Sequence, residues 1–267
     1  MNRSSEILSG RNMLTKVPEV TLYFWVIKIL CTTVGETAAD FLNANLNLGL
    51  TGTSLVMGIL LALALFFQFR SKKYVPEIYW LAVVLISVVG TLITDNLTDN
   101  LGIKLEVTTL IFALALTMTF TVWYLSEKTL SIHTINTVRR EIYYWLAILC
   151  TFALGTAAGD LLAERFDLGY LLSAVIFAGG IAAVYAAYNY KLNAIFSFWI
   201  AYILTRPLGA SLGDYLSQSQ QVGGLGLGTV ATTIVFLTTI VATVVYIAAT
   251  KLDMIADKPL RQNLSDL

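Results

Sequence analysis

The sequence predicts an all-α membrane protein: eight transmembrane helices built as four parallel two-helix repeats, with pseudo-symmetry about the membrane normal. Three observations predict it. Long apolar runs such as Leu50–Phe69, Val107–Leu125 and Val230–Ala249 have the length of about 20 residues that a membrane-spanning helix needs. The chain is 57% hydrophobic and 13% charged, where soluble chains carry roughly 25% charged residues. Finally, one pattern occurs four times without gaps, W-x9-G-x3-[A/T/G]-D-x-L, at Trp25–Leu42, Trp80–Leu97, Trp145–Leu162 and Trp199–Leu216. Self-similarity at a fixed spacing is the mark of a repeat architecture.

Each repeat supplies two spans. The first, about Val17–Lys73, gives helices near Val20–Leu42 and Leu50–Phe69. The second, about Val75–Ser126, gives helices near Ile78–Leu97 and Val107–Leu125. After the polar connector Glu127–Arg140, the third repeat (about 140–191) gives Ile142–Leu162 and Leu168–Tyr188. The fourth (about 192–251) gives Ile195–Leu216 and Thr229–Thr250. The whole chain, 1–267, is thus expected to be a single transmembrane domain, with residues 1–16 and 252–267 as tails. Met1–Lys16 lacks the apolar core of a cleavable signal peptide.

Orientation follows from the basic residues. The face holding the termini and the even-to-odd loops carries Arg3, Arg11, Lys16, Arg70, Lys72, Lys73, Lys128, Arg139, Arg140, Lys191, Lys251, Lys258 and Arg261; the opposite loops carry only Lys104 and Arg165. Basic loops stay inside, so both termini are predicted to be cytoplasmic. Two spans per repeat send all four copies into the membrane in one direction, making this a parallel repeat. The tryptophans then share a depth near the cytoplasmic side, and the aspartates lie about 22 Å further on, at 1.5 Å per residue.

On a helical wheel with each signature glycine at zero, the small residue falls at about 40°, Trp at about 80° and Asp at about 140°. A stripe of this kind on four odd helices predicts that these helices form an inner ring with the even helices outside. Gly35, Gly90, Gly155 and Gly209, each with a small residue four positions on, suit close backbone approach in lipid. Together with Trp25, Trp80, Trp145 and Trp199 they are expected to be packing positions.

Asp40, Asp95, Asp160 and Asp214 are the sharpest functional candidates, because a carboxylate in a bilayer usually faces protein or water. One reading is structural, with each Asp bonding the amides of its own hairpin. The other is a ring of carboxylates that admits or binds cations. Glu36, one turn before Asp40, and Asp99, one turn after Asp95, favour the second, as do Glu164 and Gln218 in the position equivalent to Asp99. The first repeat has Ala44 there, flanked by Asn43 and Asn45. Hard divalent cations prefer such oxygen sites, so Glu36, Asp40, Asp95, Asp160 and Asp214 are also metal-ligand candidates, the metal being open.

Lys28 and Arg206 lie inside apolar spans on the signature face. Arg206 replaces Thr32, Ser87 and Phe152 of the other repeats and precedes Pro207, which predicts a broken or kinked helix with freed backbone groups. Three roles are open for these cations: an internal ion pair with another repeat, an anion contact, or a tethered charge that displaces a bound cation.

Other features are excluded or bland. With zero formal net charge there is no bulk electrostatic case for nucleic acid, and one histidine, His133, excludes a multi-histidine metal site within the chain. Cys31 and Cys150 read as packed thiols. The hydroxyls at the outer starts of the even helices, including Thr51, Ser54, Thr108, Ser173, Thr232 and Thr233, either line a vestibule or bond their own helix. Gly223–Gly228 follows no strand and lacks the lysine of a phosphate loop. No catalytic triad, HExxH or Walker pattern is present, so no enzyme and no cofactor is expected.

The four tryptophans with their glycine and aspartate partners resemble a family of bacterial multipass membrane proteins made of four tandem two-helix repeats, a repeat of unknown function. The resemblance covers nearly the whole chain and implies a bacterial plasma-membrane (inner-membrane) protein embedded in the lipid bilayer. It brings no activity with it. From the residues, the expected function is transport, by a secondary transporter or channel for a cation, with divalent metals and proton coupling both open. The alternatives are a non-transporting scaffold or sensor with structural Asp caps, and a small organic-solute transporter using Arg206 and Lys28.

Overall fold

Parallel helices of one chain can bury polar groups in a membrane only by facing them inward, and the fold does this with a closed inner ring. The computed structural model describes residues 15–45 and 48–253. Arg3, Arg11, Lys258, Arg261, most of both predicted tails and the side chain of Asn45 lie outside the described residues. Eight helices follow in order: α1 (Leu22–Asn45), α2 (Gly49–Arg70), α3 (Pro76–Asp95), α4 (Leu105–Glu127), α5 (Val138–Asp160), α6 (Tyr170–Asn189), α7 (Ala194–Ser217) and α8 (Thr229–Thr250). All eight are long and apolar enough to cross a membrane, and the chain is an integral multipass membrane protein.

Local chemistry sets the ends. Pro76 opens α3, where its missing N–H costs nothing. Asn193 caps α7, its Oδ1 accepting from the amides of Ile195 at 3.0 Å and Phe196 at 3.2 Å. At the opposite ends of the bundle's hairpins, Gly49, Gly102, Gly169 and Gly228 all take a left-handed backbone, one in each repeat. Single π-helical turns, Asn96–Asn100 and Leu161–Arg165, extend α3 and α5 beyond Asp95 and Asp160. α7 runs unbroken through Pro207, so the expected break is absent.

The odd helices pack in a closed cycle, α1 on α3, α3 on α5, α5 on α7 and α7 on α1. Each even helix lies outside and packs on the odd helix of the following repeat: α2 on α3, α4 on α5, α6 on α7 and, closing the circle, α8 on α1. The odd spans are largely buried and the even spans mostly exposed, with residues such as Leu63, Leu114, Val175 and Val241 presenting apolar side chains outward.

Two layers of contacts hold the ring, and both step one repeat forward. In the first, each signature glycine receives the residue three before the next signature glycine. A Cβ on Gly35 would meet Ser87, on Gly90 Phe152, on Gly155 Arg206 and on Gly209 Thr32, at 1.8–2.7 Å. In the second, the aromatic residue before each tryptophan meets the next tryptophan: Phe24–Trp80 at 5.7 Å, Tyr79–Trp145 at 5.5 Å, Tyr144–Trp199 at 6.3 Å and Phe198–Trp25 at 5.7 Å between centroids. Trp80, Trp145 and Trp199 are buried and Trp25 is half-buried.

Below the aromatic layer, residues 15–21 run under the bundle as a strap. Lys16 is fully buried, donating to Glu141 Oε2 at 2.7 Å and to the Phe69 carbonyl at 3.0 Å. Gln68 Nε2 bonds Glu141 Oε1 at 3.1 Å. The Glu19 amide bonds the Asp253 carbonyl at 3.0 Å, and the Asp253 carboxylate accepts from the Tyr74 hydroxyl. Lys16 and Asp253, at the inner edges of the predicted tails, therefore belong to the packed structure.

The glycine layer predicts a graded mutational response. Gly90→Ala and Gly155→Ala add a methyl group within 2.7 Å of an existing atom and should each destabilise the protein by about 1–3 kcal/mol. Gly58→Ala and Gly179→Ala, with nothing within 4 Å, should be neutral or slightly stabilising. Thermal unfolding in detergent measures this, and equal losses at all four positions would contradict the assignment.

Candidate functional site

The four aspartates stand five residues after the glycines, and the glycine layer holds the odd helices at one level. Their carboxylates consequently reach the same end of the ring. Asp40, Asp95, Asp160 and Asp214 line a single cavity of about 170 Å³ together with Glu36, Asp99, Glu164, Asn43, Thr98, Leu105 and Gln218. The π-helical turns after Asp95 and Asp160 contain Asp99 and Glu164, as such turns often carry functional groups. Seven carboxyl groups thus face one space, and among the described residues no lysine or arginine lines it. At the rim, Arg165 is engaged by Glu106, Nε to Oε1, at 2.8 Å.

The structural reading of the aspartates required bonds to hairpin amides. Among the described residues no loop amide bonds any of the four carboxylates; Asp40 Oδ2 accepts from Gln218 Nε2 at 3.2 Å, a contact between the first and last repeats. The same residues show no group of three Asp, Glu, His or Cys side chains gathered so as to hold a metal ion. The carboxylates share a cavity without focusing on one point.

Arg206 closes the floor. It is fully buried on α7 and its guanidinium reaches the other three odd helices. Nη2 donates to Glu36 Oε2 at 3.0 Å on α1, to Thr156 Oγ1 at 2.6 Å on α5 and to Thr91 Oγ1 on α3; Nη1 donates to the Thr32 carbonyl at 3.2 Å. Of the roles open to it from sequence, the internal ion pair is the one observed. Breaking a buried pair by removing one partner typically costs about 3–5 kcal/mol. Glu36 belongs to both sites, lining the cavity and holding Arg206.

Lys28 lies deeper and is built differently. It is fully buried, donates to Thr205 Oγ1 at 3.1 Å, and stands 4.2 Å from the Tyr202 ring centroid and 4.6 Å from that of Phe152. No carboxylate pairs with it among the described residues. A desolvated cation–π contact contributes about 2 kcal/mol and a charge-assisted hydrogen bond about 1.5–3 kcal/mol, against a burial cost of several kcal/mol per ion.

Sequence reasoning missed several partners. Thr91 and Thr156 occupy the register of Glu36, one residue after the signature glycine, and three polar residues at one register were a visible signal. The aromatic residue before each tryptophan was equally visible once the copies were aligned. Lys16, Gln68 and Glu141 gave no signal, since they pair across 125 and 73 residues without periodicity. Of the vestibule hydroxyls, Ser54, Thr108 and Thr232 bond their own helix or its preceding turn, and Thr98 is the hydroxyl that lines the cavity.

Comparison with known proteins finds the same fourfold repetition. The family described as Repeat of Unknown Function (DUF347) matches four times in tandem, over residues 23–74, 78–129, 143–191 and 197–253. No curated protein and no solved structure matches the chain significantly. With the four copies spanning most of its length, the chain belongs to the DUF347 repeat family of multipass membrane proteins.

Proposed function

We propose that this protein moves a cation across the bacterial plasma membrane, as a secondary transporter or channel, drawing it from outside into the carboxylate cavity. The single observation that carries this reading is the convergence of seven carboxyl groups on one cavity without a basic lining residue. A cleft lined by one sign of charge raises the local concentration of counter-ions, and rings of Asp and Glu are a common means of selecting cations. The basic loops favour cytoplasmic termini, which puts the cavity on the outer face and the strap inside. Because no three carboxylates focus on one point among the described residues, the cation in this reading is held with part of its water rather than in a dehydrated metal site. Arg206 is the tethered cation that occupies the floor until Glu36 is engaged from above.

The aspartates test the reading directly. Asp40→Asn, Asp95→Asn, Asp160→Asn and Asp214→Asn, singly and combined, should lower uptake of Na⁺, K⁺, Mg²⁺ or Mn²⁺ into proteoliposomes, the combined variant by roughly tenfold or more if the ring selects charge. A well-folded combined variant with unchanged flux for every transported cation, or a wild type that moves none of them, would overturn it.

The floor generates a second expectation. Glu36→Gln should lower stability by about 3–5 kcal/mol by stranding the guanidinium, and Arg206→Met combined with Glu36→Gln should recover part of that loss. A double variant as unstable as the sum of the singles, in detergent unfolding curves, would show that the two groups act independently.

A further inference from the structure

We propose that the cavity takes a small, hard divalent cation, Mg²⁺, held by one or two direct carboxylate contacts, Asp214 among them, and otherwise through its own water. This deepens the cation reading above and rests on it for transport, whereas binding is tested apart from flux.

Asp214 separates the cavity from a plain gathering of acids. It is 8% exposed, lines the cavity from α7, and among the described residues no hydrogen bond or ion pair engages its carboxylate. Asp95 on α3 and Asp160 on α5 line the same space and are likewise without a side-chain partner among the described residues. The other lining carboxyl groups are engaged: Glu36 by Arg206 at 3.0 Å, Asp40 by Gln218 at 3.2 Å, Asp99 by Thr98 at 3.0 Å and Glu164 by Tyr170 at 3.3 Å. A buried polar group that finds no partner in the protein is costly. Three of them, from three successive helices of the ring and facing one cavity, are satisfied together by a cation and its water.

Lining chemistry chooses the cation. Among the described residues no histidine, cysteine or aromatic ring lines the cavity. Zn²⁺ and Cu²⁺ favour sulfur and imidazole, and organic ammonium ions favour aromatic faces, so neither class fits. Ca²⁺ draws on about six to eight oxygen ligands, whereas no three carboxylates gather on one point among the described residues. Mg²⁺ dehydrates reluctantly, keeps several waters and is held by one or two carboxylates. The cavity of about 170 Å³ has room for about five or six waters at about 30 Å³ each, so the retained shell enters with the ion.

Charge decides between Mg²⁺ and the alkali cations. Beyond the Glu36 that Arg206 holds, the other six lining carboxyl groups have no basic partner among the described residues. Ions that keep their water differ little in size where they meet the protein, and a double charge doubles the attraction at a given distance.

Thermal unfolding of the full chain in detergent, titrated with MgCl₂, CaCl₂, NaCl or KCl at an ionic strength held constant with choline chloride, reads binding without reference to transport. Mg²⁺ should stabilise saturably, at a midpoint concentration roughly tenfold below that of Ca²⁺ and further below those of Na⁺ and K⁺. Asp214→Asn should raise the Mg²⁺ midpoint by roughly tenfold, and Asp160→Asn takes its place should that variant not fold. The absence of saturable stabilisation, a Ca²⁺ midpoint at or below that of Mg²⁺, or a Mg²⁺ midpoint unmoved in the folded variant overturns the proposal. Mg²⁺ binding as described in a protein whose proteoliposomes take up no cation supports the site and overturns the transport reading. Flux of Na⁺ or K⁺ without Mg²⁺ binding overturns the site and leaves the transport reading standing.

Discussion

In lipid the apolar surfaces of helices gain nothing by meeting each other, so the distance of closest approach decides which helices pair and at what height. Here that distance is set by four backbones without a Cβ. Gly35, Gly90, Gly155 and Gly209 each admit the side chain of the next repeat's residue three before its own glycine. The same contact made four times leaves no freedom of level between neighbours, and the cycle closes because the fourth repeat meets the first. Everything five residues further along is then brought to one height. The cavity of carboxylates is a consequence of the glycine contacts, since the helices could not slide to separate the charges without losing them.

The same cycle explains how an arginine fits on the axis. At its register the other copies carry Thr32, Ser87 and Phe152, each seated against a glycine backbone. Arg206 seats its stem against Gly155 in the same way, and its extra length carries the guanidinium to the register one residue beyond the glycines. There the four copies read Glu36, Thr91, Thr156 and Ala210. Three helices offer oxygen acceptors and the fourth, Arg206's own, offers none. A strictly fourfold ring would have to supply a carboxylate from every copy or from none, and neither balances a single guanidinium. Departure from symmetry is what makes the buried charge tolerable.

What the sequence disclosed about this arrangement follows from what its spacing encodes. A constant interval between Trp, Gly and Asp on helices running the same way fixes relative height, so the common level of Asp40, Asp95, Asp160 and Asp214 was legible, as was the inward stripe that put the odd helices in the ring. Spacing does not encode which neighbour a helix chooses. The packing of each even helix on the following repeat's odd helix, and of α8 on α1, depends on side-chain fit between surfaces of similar hydropathy. Arg206's partners were half legible, through Glu36 and the polar register it shares with Thr91 and Thr156. Lys28's setting was not, because Phe152 and Tyr202 are ordinary apolar positions until they enclose an amine. The break expected at Pro207 is absent, α7 staying helical through it, and the ring of Pro207 packs against Gly155 and Gly159 of α5.

The two ends of the ring differ in how they are closed. At the cavity end the closure is the Arg206–Glu36 pair; at the other it is the aromatic layer with the strap beneath it. Aromatic pairs contribute about 0.5–1.5 kcal/mol each beyond their burial, so the four inter-repeat pairs amount to roughly 2–6 kcal/mol. The Lys16–Glu141 pair, buried on both sides, adds a barrier of the same order as that at Arg206. Both closures draw on α1 and α5, whose Glu36 and Thr156 face one end and whose Trp25 and Glu141 serve the other.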